Sequence, residues 1–255
     1  TARGVRRSPL HDRVAAAGAC FGEMAGWERA NWYAPAGFEP RYEYSYERQN
    51  WFDWSAAEHR AVREAVGMLD MSGMAKFLVQ GRDAERVLNR VCANDVSVPV
   101  GRLVYTQWLN EAGGIIADLT VTRLADQRFL LVVTDTIHRR MAPWIERHTR
   151  EDEFVTVTDI TAGVTLMTVQ GPRSRELLAS LTSADLSNEA FPYLTAQEID
   201  LHYARVLAMR VTYVGELGWE LHVPADQALT VYDALLEAGS AFGYRNVGMG
   251  ALNSL

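Results

Sequence analysis

The sequence lacks the signatures of several common classes of protein. It has only two cysteines, Cys20 and Cys92, which lie far apart and outside any CxxC motif, so neither a disulfide framework nor a thiolate metal site is indicated. Its six histidines show no HxxxH or HExxH spacing, which argues against a zinc site. There is no phosphate-binding loop and no GxSxG nucleophile elbow, and Gly248-Met249-Gly250 lacks the strand-turn-helix context of a dinucleotide fingerprint.

Long apolar runs and excess positive charge are also missing. No stretch approaches the roughly 20 apolar residues that a membrane-spanning helix needs. The arginines near the start are not followed by the apolar run of a secretory signal. The net charge of −7 and the pI of about 5.4 argue against a general nucleic-acid or anionic-membrane surface, since both need a positive field. We therefore expect no nucleic-acid and no membrane partner.

The remaining sequence divides into two regions. Residues 1–54 are crowded with aromatic residues and punctuated by Pro and Gly, without helical periodicity after Ala19. From residue 55, helical and strand patterns alternate, and Ser55-Ala-Ala-Glu58 is a capping-box pattern. Antiparallel hairpins and helices on separate segments predict an α+β fold rather than a doubly wound parallel sheet. The expected elements are helices over 55–68, 83–92, 137–148, 172–181 and 226–241, strands over 75–79, 129–134, 154–159 and 164–170, and hairpins over 105–124 and 204–223.

The segment from Tyr105 to Leu124, YTQWLNEAGGIIADLTVTRL, contains the first candidate site residue. Two strand-like stretches flank a Gly113-Gly114 turn, and strand periodicity places Asp118, Thr120 and Thr122 on one face. A lone acid inside a sheet is costly unless it is hydrogen-bonded, paired or used, so we expect Asp118 to be held out of bulk water beside a pocket. The alternative is a structural carboxylate satisfied by nearby backbone or an arginine.

Two further segments contain candidate residues of weaker specificity. In YVGELGWEL, residues 213–221, Gly215 and Gly218 bracket Glu216, which either faces a ligand or is a solvated acid in an ordinary hairpin turn. In SGMAKFLVQGRDAERVLNRVCANDV, residues 72–96, Asp83 is a candidate helix cap. Met74 there either lines a pocket or fills the core.

Together these segments resemble the aminomethyltransferase family, the T-protein of glycine cleavage. YTQWLNEAGGIIADLTVTRL, YVGELGWELHVP and GMLDMSGMAKFLVQGRDAERVL carry the resemblance. The chain is more similar still to the folate-binding half of flavin-dependent dimethylglycine and sarcosine dehydrogenases, through AGACFGEMAGWERANWYAP and YSYERQNWFDWSAAEHRAVREAVGMLDMS. The resemblance covers nearly the whole chain, and the combination of motifs is specific although each one alone is not.

The resemblance implies a tetrahydrofolate site in a three-lobed α+β fold with mixed and antiparallel sheets. Asp118 matches the family's aspartate near the folate nitrogens, although this chain has Ala117 where many T-proteins carry a second acid. Glu216 matches the glutamate that accepts the N–H donors of the pterin ring, as a carboxylate can do in bidentate fashion. The resemblance adds Tyr105, Met74, Tyr213 and Thr120 as cofactor-binding residues, and no metal.

The resemblance also implies an organisation and an activity. Residues 1–54 are expected to be the end of a flavin-oxidoreductase region with its linker, and residues 55–255 a folate-binding domain without its C-terminal barrel lobe. FAD would lie in a domain outside this chain. The implied activity is capture of the one-carbon unit released from an N-methyl amine of the dimethylglycine or sarcosine type, as 5,10-methylenetetrahydrofolate. The implied location is the cytoplasm of a bacterium or the mitochondrial matrix of a eukaryote.

Two other functions are compatible with the same sequence. One is a non-catalytic scaffold with a folate-type fold that docks against the flavin domain. The other is a tetrahydrofolate-dependent methyl- or aminomethyltransferase that works without a flavin, which the flavin-domain-like segment over residues 17–35 disfavours.

Overall fold

Two β-sheets pack face to face, and the space between them positions the candidate site. The computed structural model describes residues 3–255. A six-stranded sheet, here the large sheet, has the order β10-β11-β12-β9-β3-β13, and all its pairings are antiparallel except β3 with β13. Its strands are β3 (Val66–Asp70), β9 (Val164–Gln170), β10 (Ala196–Leu201), β11 (Ala204–Met209), β12 (Gly218–Pro224) and β13 (Tyr244–Asn246).

The second sheet, here the small sheet, is five-stranded and antiparallel throughout. Its order is β5-β6-β7-β4-β8, so the predicted hairpin forms one edge of the sheet. The strands of this sheet differ in pattern, since residues 117–122 alternate between apolar and polar side chains whereas residues 129–133 are apolar throughout. They are β4 (Ala75–Gln80), β5 (Leu103–Leu109), β6 (Ile115–Ala125), β7 (Arg128–Val133) and β8 (Thr156–Asp159).

Helices cover the outer faces of both sheets and bury an apolar core under each. Leu177 and Tyr232 pack with Trp219 under the large sheet, and Leu88 and Ile145 pack with Phe129 under the small one. The helices are α1 (His11–Ala16), α2 (Phe52–Glu64), α3 (Ala84–Val91), α4 (His138–His148), α5 (Ser174–Ala179), α6 (Ala228–Gly239) and α7 (Met249–Leu252).

The inner faces of the two sheets meet in a third, smaller core, here called the inter-sheet core. Leu130 and Val132 of the small sheet pack with Leu166 and Met209 of the large sheet. All four side chains are at most 2% exposed. Burial of this apolar surface holds the two sheets in a fixed relation, at roughly 25 cal/mol for each Å² removed from water.

The N-terminal region packs on the same body. Its hairpin consists of β1 (Ala19–Met24) and β2 (Trp27–Tyr33). Leu10 and Val14 join the core under the large sheet. The carboxylate of Glu58 in α2 accepts a hydrogen bond from the backbone N–H of Tyr33 at 2.7 Å. The boundary at residue 54 stays a prediction.

The α+β class with mixed and antiparallel sheets is confirmed, and three local predictions are wrong. The helix expected over 55–68 begins at Phe52 and ends at Glu64, because residues 66–70 form β3 inside the large sheet. Ser55 does not cap it. The acid of the supposed capping box, Glu58, instead accepts the distant N–H groups of Tyr33 and Gly248. Hydrogen bonds to residues distant in sequence therefore replace the predicted cap of the helix.

The second capping prediction fails for the same reason. Asp83 precedes α3 as expected but makes no side-chain capping bond to the helix backbone. Its carboxylate accepts hydrogen bonds from Arg82, Arg86 and the backbone N–H of Phe154. Helix α4 runs through Pro143.

Candidate functional site

The candidate residues of the predicted hairpin collect at one end of the inter-sheet core. Register pairs Tyr105 with Thr120 and Gln107 with Asp118, so these four side chains share the face that looks toward the large sheet. The strand becomes drier along β6, since Asp118 is exposed, Thr120 is half-buried and Thr122 is fully buried. Thr122 already reaches the large sheet, with its hydroxyl 3.6 Å from the sulfur of Met209.

Asp118 lies at the open rim of this face, which corrects the expectation that it is withheld from water. The side chain is exposed, and its Oδ1 accepts a hydrogen bond from Gln107 Nε2 at 3.2 Å. The apolar neighbours that suggested burial, Ala117 and Leu119, point to the opposite face, into the core under the small sheet. Alternation along the strand therefore separates the acid from the apolar setting that surrounds it in sequence.

Tyr105 lies on the same face as Asp118, in the neighbouring strand. Its phenol is half exposed, at 53%, and hydrogen bonding to Asp118 is the main cause that raises the pKa of this tyrosine above its ordinary value. Tyr213, from the loop between β11 and β12, is a smaller cause in the same direction. Tyr213 itself is 84% exposed.

Glu216 is held in the same β11–β12 loop by two glycines with different tasks. Gly215 adopts a φ of +77°, a conformation that side chains with a Cβ disfavour. At Gly218 a Cβ would lie 2.5 Å from the carbonyl oxygen of Val169, so only glycine permits this approach to β9. The hydroxyl of Thr212 donates to the Glu216 carbonyl at 2.6 Å and closes the loop. The carboxylate is thereby presented from a fixed turn.

Arg63 of α2 pairs with Glu216 and was missed by the sequence reasoning. Its Nη1 donates to Glu216 Oε1 at 2.7 Å, and the Glu216 side chain is 21% exposed. Within residues 3–255, the hydrogen bond to this carboxylate comes from Arg63 and uses Oε1. The two residues are 153 positions apart in sequence, so no local signal could have paired them. Gln107 could have been found, because hairpin register puts it opposite Asp118.

Met74 lies in the turn between β3 and β4, where its half-buried side chain packs on the edge of the inter-sheet core. The backbone N–H of Met74 donates to the Met71 carbonyl at 3.0 Å, and the Asp70 carboxylate accepts the N–H of Ser72 at 3.0 Å. The turn is therefore well hydrogen-bonded. It borders the same face as Thr120, because β4 and β6 both pair with β7.

A cleft of about 560 Å³ opens at the opposite end of the inter-sheet core. Arginines 123, 128 and 205 line it together with Glu198, over an apolar floor. His222, whose side chain is only 2% exposed, also lines it, and neither ring nitrogen has a hydrogen-bond partner within residues 3–255. The cleft and Glu216 lie at opposite ends of β12, which runs from Gly218 beside Glu216 to Pro224 at the cleft.

Two further properties of the described chain concern membranes and metals. Over residues 3–255, none of the helices combines the length and apolar character needed to cross a bilayer. In the same range, no three His, Cys, Asp or Glu side chains converge in the manner of a metal site.

Comparison with known proteins agrees with this geometry. Residues 10–255 match the family described as GCVT N-terminal domain. The chain is 45% identical to 4-methylaminobutanoate oxidase (formaldehyde-forming) of Paenarthrobacter nicotinovorans. The alignment covers the whole of this chain and 31% of that protein. It is 34% identical to mitochondrial sarcosine dehydrogenase of Mus musculus, in an alignment that covers 99% of this chain and 32% of that protein. The chain thus spans about a third of these relatives.

A solved structure shows the same fold. The glycine cleavage system aminomethyltransferase T of Bartonella henselae superposes with a TM-score of 0.80 at 27% identity, over 99% of this chain and 62% of that one. The resemblance inferred from the motifs is therefore confirmed, and the chain belongs to the GCVT family, as a domain of the type found in aminomethyltransferases and N-methyl amine oxidases.

Proposed function

We propose that this domain binds tetrahydrofolate and captures, as 5,10-methylenetetrahydrofolate, the one-carbon unit that a flavin domain of the same protein releases from an N-methyl amine. The amine would be an amino acid of the dimethylglycine, sarcosine or 4-methylaminobutanoate type. FAD would belong to the part of the protein outside this chain. The relatives that carry a similar domain are named as oxidases and dehydrogenases of such amines, which supports the proposal.

One observation carries the proposal. Asp118 of β6 and Glu216 of the β11–β12 loop both lie on the side of the inter-sheet core away from the cleft, and Tyr105 and Tyr213 belong to the same strand pair and the same loop. A reduced pteridine presents a flat ring with adjacent N–H donors. Aromatic side chains suit the ring, and a carboxylate is the acceptor that such donors require.

The residues would divide the work as follows. Glu216, held by Arg63, would accept the N–H donors of the pterin and fix its orientation. Met74 and Tyr213 would contact the ring, and Thr120 would lie beneath it. Tetrahydrofolate supplies two neighbouring amines that bridge one carbon. When formaldehyde condenses with both amines, two N–C bonds form, two N–H bonds break and the carbonyl oxygen leaves as water. Asp118, oriented by Gln107, would accept the proton from an amine and return it to the departing oxygen.

Titration calorimetry with tetrahydrofolate under anaerobic conditions tests the binding step in the full-length protein. Replacing Glu216 by Gln keeps the size of the side chain but removes its charge. Since hydrogen bonds to charged groups are worth about 1.5–3 kcal/mol, we expect the Kd to rise about ten- to hundredfold. Glu198→Gln is the matched control, because Glu198 is an exposed acid at the cleft end that pairs with Arg205. An unchanged Kd for Glu216→Gln would contradict the assignment.

The exposure of Asp118 favours a second candidate, a folate-type domain that serves as a docking scaffold without chemistry. A carboxylate open to water is a poorer relay for protons than one in a dry pocket. The scaffold predicts no heat of tetrahydrofolate binding in the unmodified protein. It also predicts the same yield of free formaldehyde with and without tetrahydrofolate.

A further inference from the structure

Lys76 is the single lysine among the 25 lysine and arginine residues of the chain. It is also fully buried, with an exposure of 0%. An arginine is always charged and carries a wide planar head, whereas a lysine is a compact cation that can lose its proton when buried. The single lysine of the chain therefore lies where its side chain has no contact with water.

The ammonium group of Lys76 is used to hold a turn. Its Nζ donates to the carbonyl oxygen of Ser72 at 2.9 Å and to that of Met74 at 2.8 Å. Both carbonyls belong to the turn that carries Met74 to the rim of the candidate site. Lys76 also stands in one row of the small sheet with Val132 and Thr120, on the face turned toward the large sheet.

The charges around Lys76 come from several elements. Burial lowers its pKa to about 8, and Arg6 of the N-terminal region acts in the same direction. Asp70 of β3, Asp159 of β8 and Glu220 of β12 favour the charged form. Of these acids, Asp159 is itself paired with His138 at 2.6 Å.

We propose that Lys76 is a positioning residue of the folate site, whose ammonium ties the Ser72 and Met74 carbonyls and thereby fixes Met74 against the pterin. The affinity for reduced folate then depends on the charge of this amine. The folate part of this inference rests on the function proposed above, whereas the structural part, the tying of the turn, does not. Removing the amine would leave two inward-facing carbonyls without their donor, which loosens the turn.

The test measures 5-formyltetrahydrofolate binding to the full-length protein across the pH range from about 6.5 to 9.5. We expect the Kd of the unmodified protein to rise as pH increases through the pKa of Lys76. Lys76→Met, which keeps the length of the side chain and removes the donors, should bind about tenfold or more weakly at neutral pH and show no such rise. Arg128→Met, a cation removed at the cleft end, should match the unmodified protein.

Hydrogen exchange provides a second measurement that needs no folate. We expect the backbone amides of residues 71–75 to exchange faster in Lys76→Met, while those of residues 164–170 in β9 keep their protection. If the unmodified protein binds no reduced folate, the function proposed above fails, and faster exchange at 71–75 would still support the structural part.

Two results would overturn the inference. One is unchanged exchange at residues 71–75 together with an unchanged Kd in Lys76→Met. The other is a flat pH profile of the unmodified protein, which would overturn the dependence on the charge of Lys76 even if Lys76→Met fails to fold.

Discussion

The two ends of the inter-sheet core differ in both chemistry and shape. The end bearing Asp118 and Glu216 is acidic and aromatic, and three of its side chains, Asp118, Tyr105 and Tyr213, are open to water. The other end is the cleft of about 560 Å³, which is lined by arginines above an apolar floor. The inter-sheet core separates them, so a ligand at one end does not touch the other.

This difference bears on where folate is proposed to bind. The cleft has a volume of about 560 Å³, but its charged side chains are mainly donors, and a pterin edge that is itself rich in N–H donors needs acceptors. The acidic end offers two carboxylates and two phenols, set by the register of β5 with β6 and by the glycines beside Glu216. Chemical complementarity is therefore the reason that we propose the acidic end for folate.

The largest expected effect is that of Asp118→Asn on one-carbon capture. The amide keeps the shape of the side chain and its contact with Gln107 but cannot accept a proton, so capture should fall by about 10²–10⁴-fold while folate affinity changes little. The measurement is the ratio of 5,10-methylenetetrahydrofolate to free formaldehyde formed by the full-length protein from its N-methyl amine. An unchanged ratio would remove Asp118 from the chemistry and leave the acidic end a binding surface.

How far the sequence predicted the site depends on the residue. Strand periodicity sufficed to put Asp118 and Thr120 on one face, whereas Tyr105 came from the family resemblance and joins them through the register of β5 with β6. Glu216 and Met74 were assigned through the family resemblance, and their roles stay predictions. The exposure of Asp118 was mispredicted, because apolar neighbours in sequence point to the other face of a strand.

The residues that the sequence could not supply act across long separations. Arg63 pairs with Glu216 only because α2 packs near the β11–β12 loop. Glu58 accepts hydrogen bonds from the N–H groups of Tyr33 and Gly248 and does not cap its own helix. Strand β3 was absorbed into a helix prediction for the same reason. Its place inside the large sheet is set by pairing with β9, which lies about a hundred residues away.

The second largest expected effect is on stability and concerns Glu58 of α2, the helix that also carries Arg63. Burial raises the pKa of Glu58 from 4.5 to about 7, so the folded state binds a proton that the unfolded state releases. This contribution to stability is fully present below pH 4.5 and is lost as pH rises through about 7, by about 3 kcal/mol in all. Urea unfolding should show that loss in the unmodified protein and not in Glu58→Gln. Parallel pH profiles of the two would refute it.

The smallest expected effect is at the cleft end, where Arg128→Gln and Arg205→Gln should leave tetrahydrofolate affinity unchanged. Arg128 is exposed, and Arg205 is 62% exposed and already paired with Glu198 and Asp200, so exposed ion pairs of about 0–1 kcal/mol are all that is lost. The inter-sheet core lies between these two arginines and Glu216, and no folate contact is assigned to them. Calorimetry of each variant beside Glu216→Gln measures the contrast directly. If a cleft variant weakened binding as much as Glu216→Gln does, folate would have to be sought in the basic cleft, and the assignment of the acidic end would be wrong.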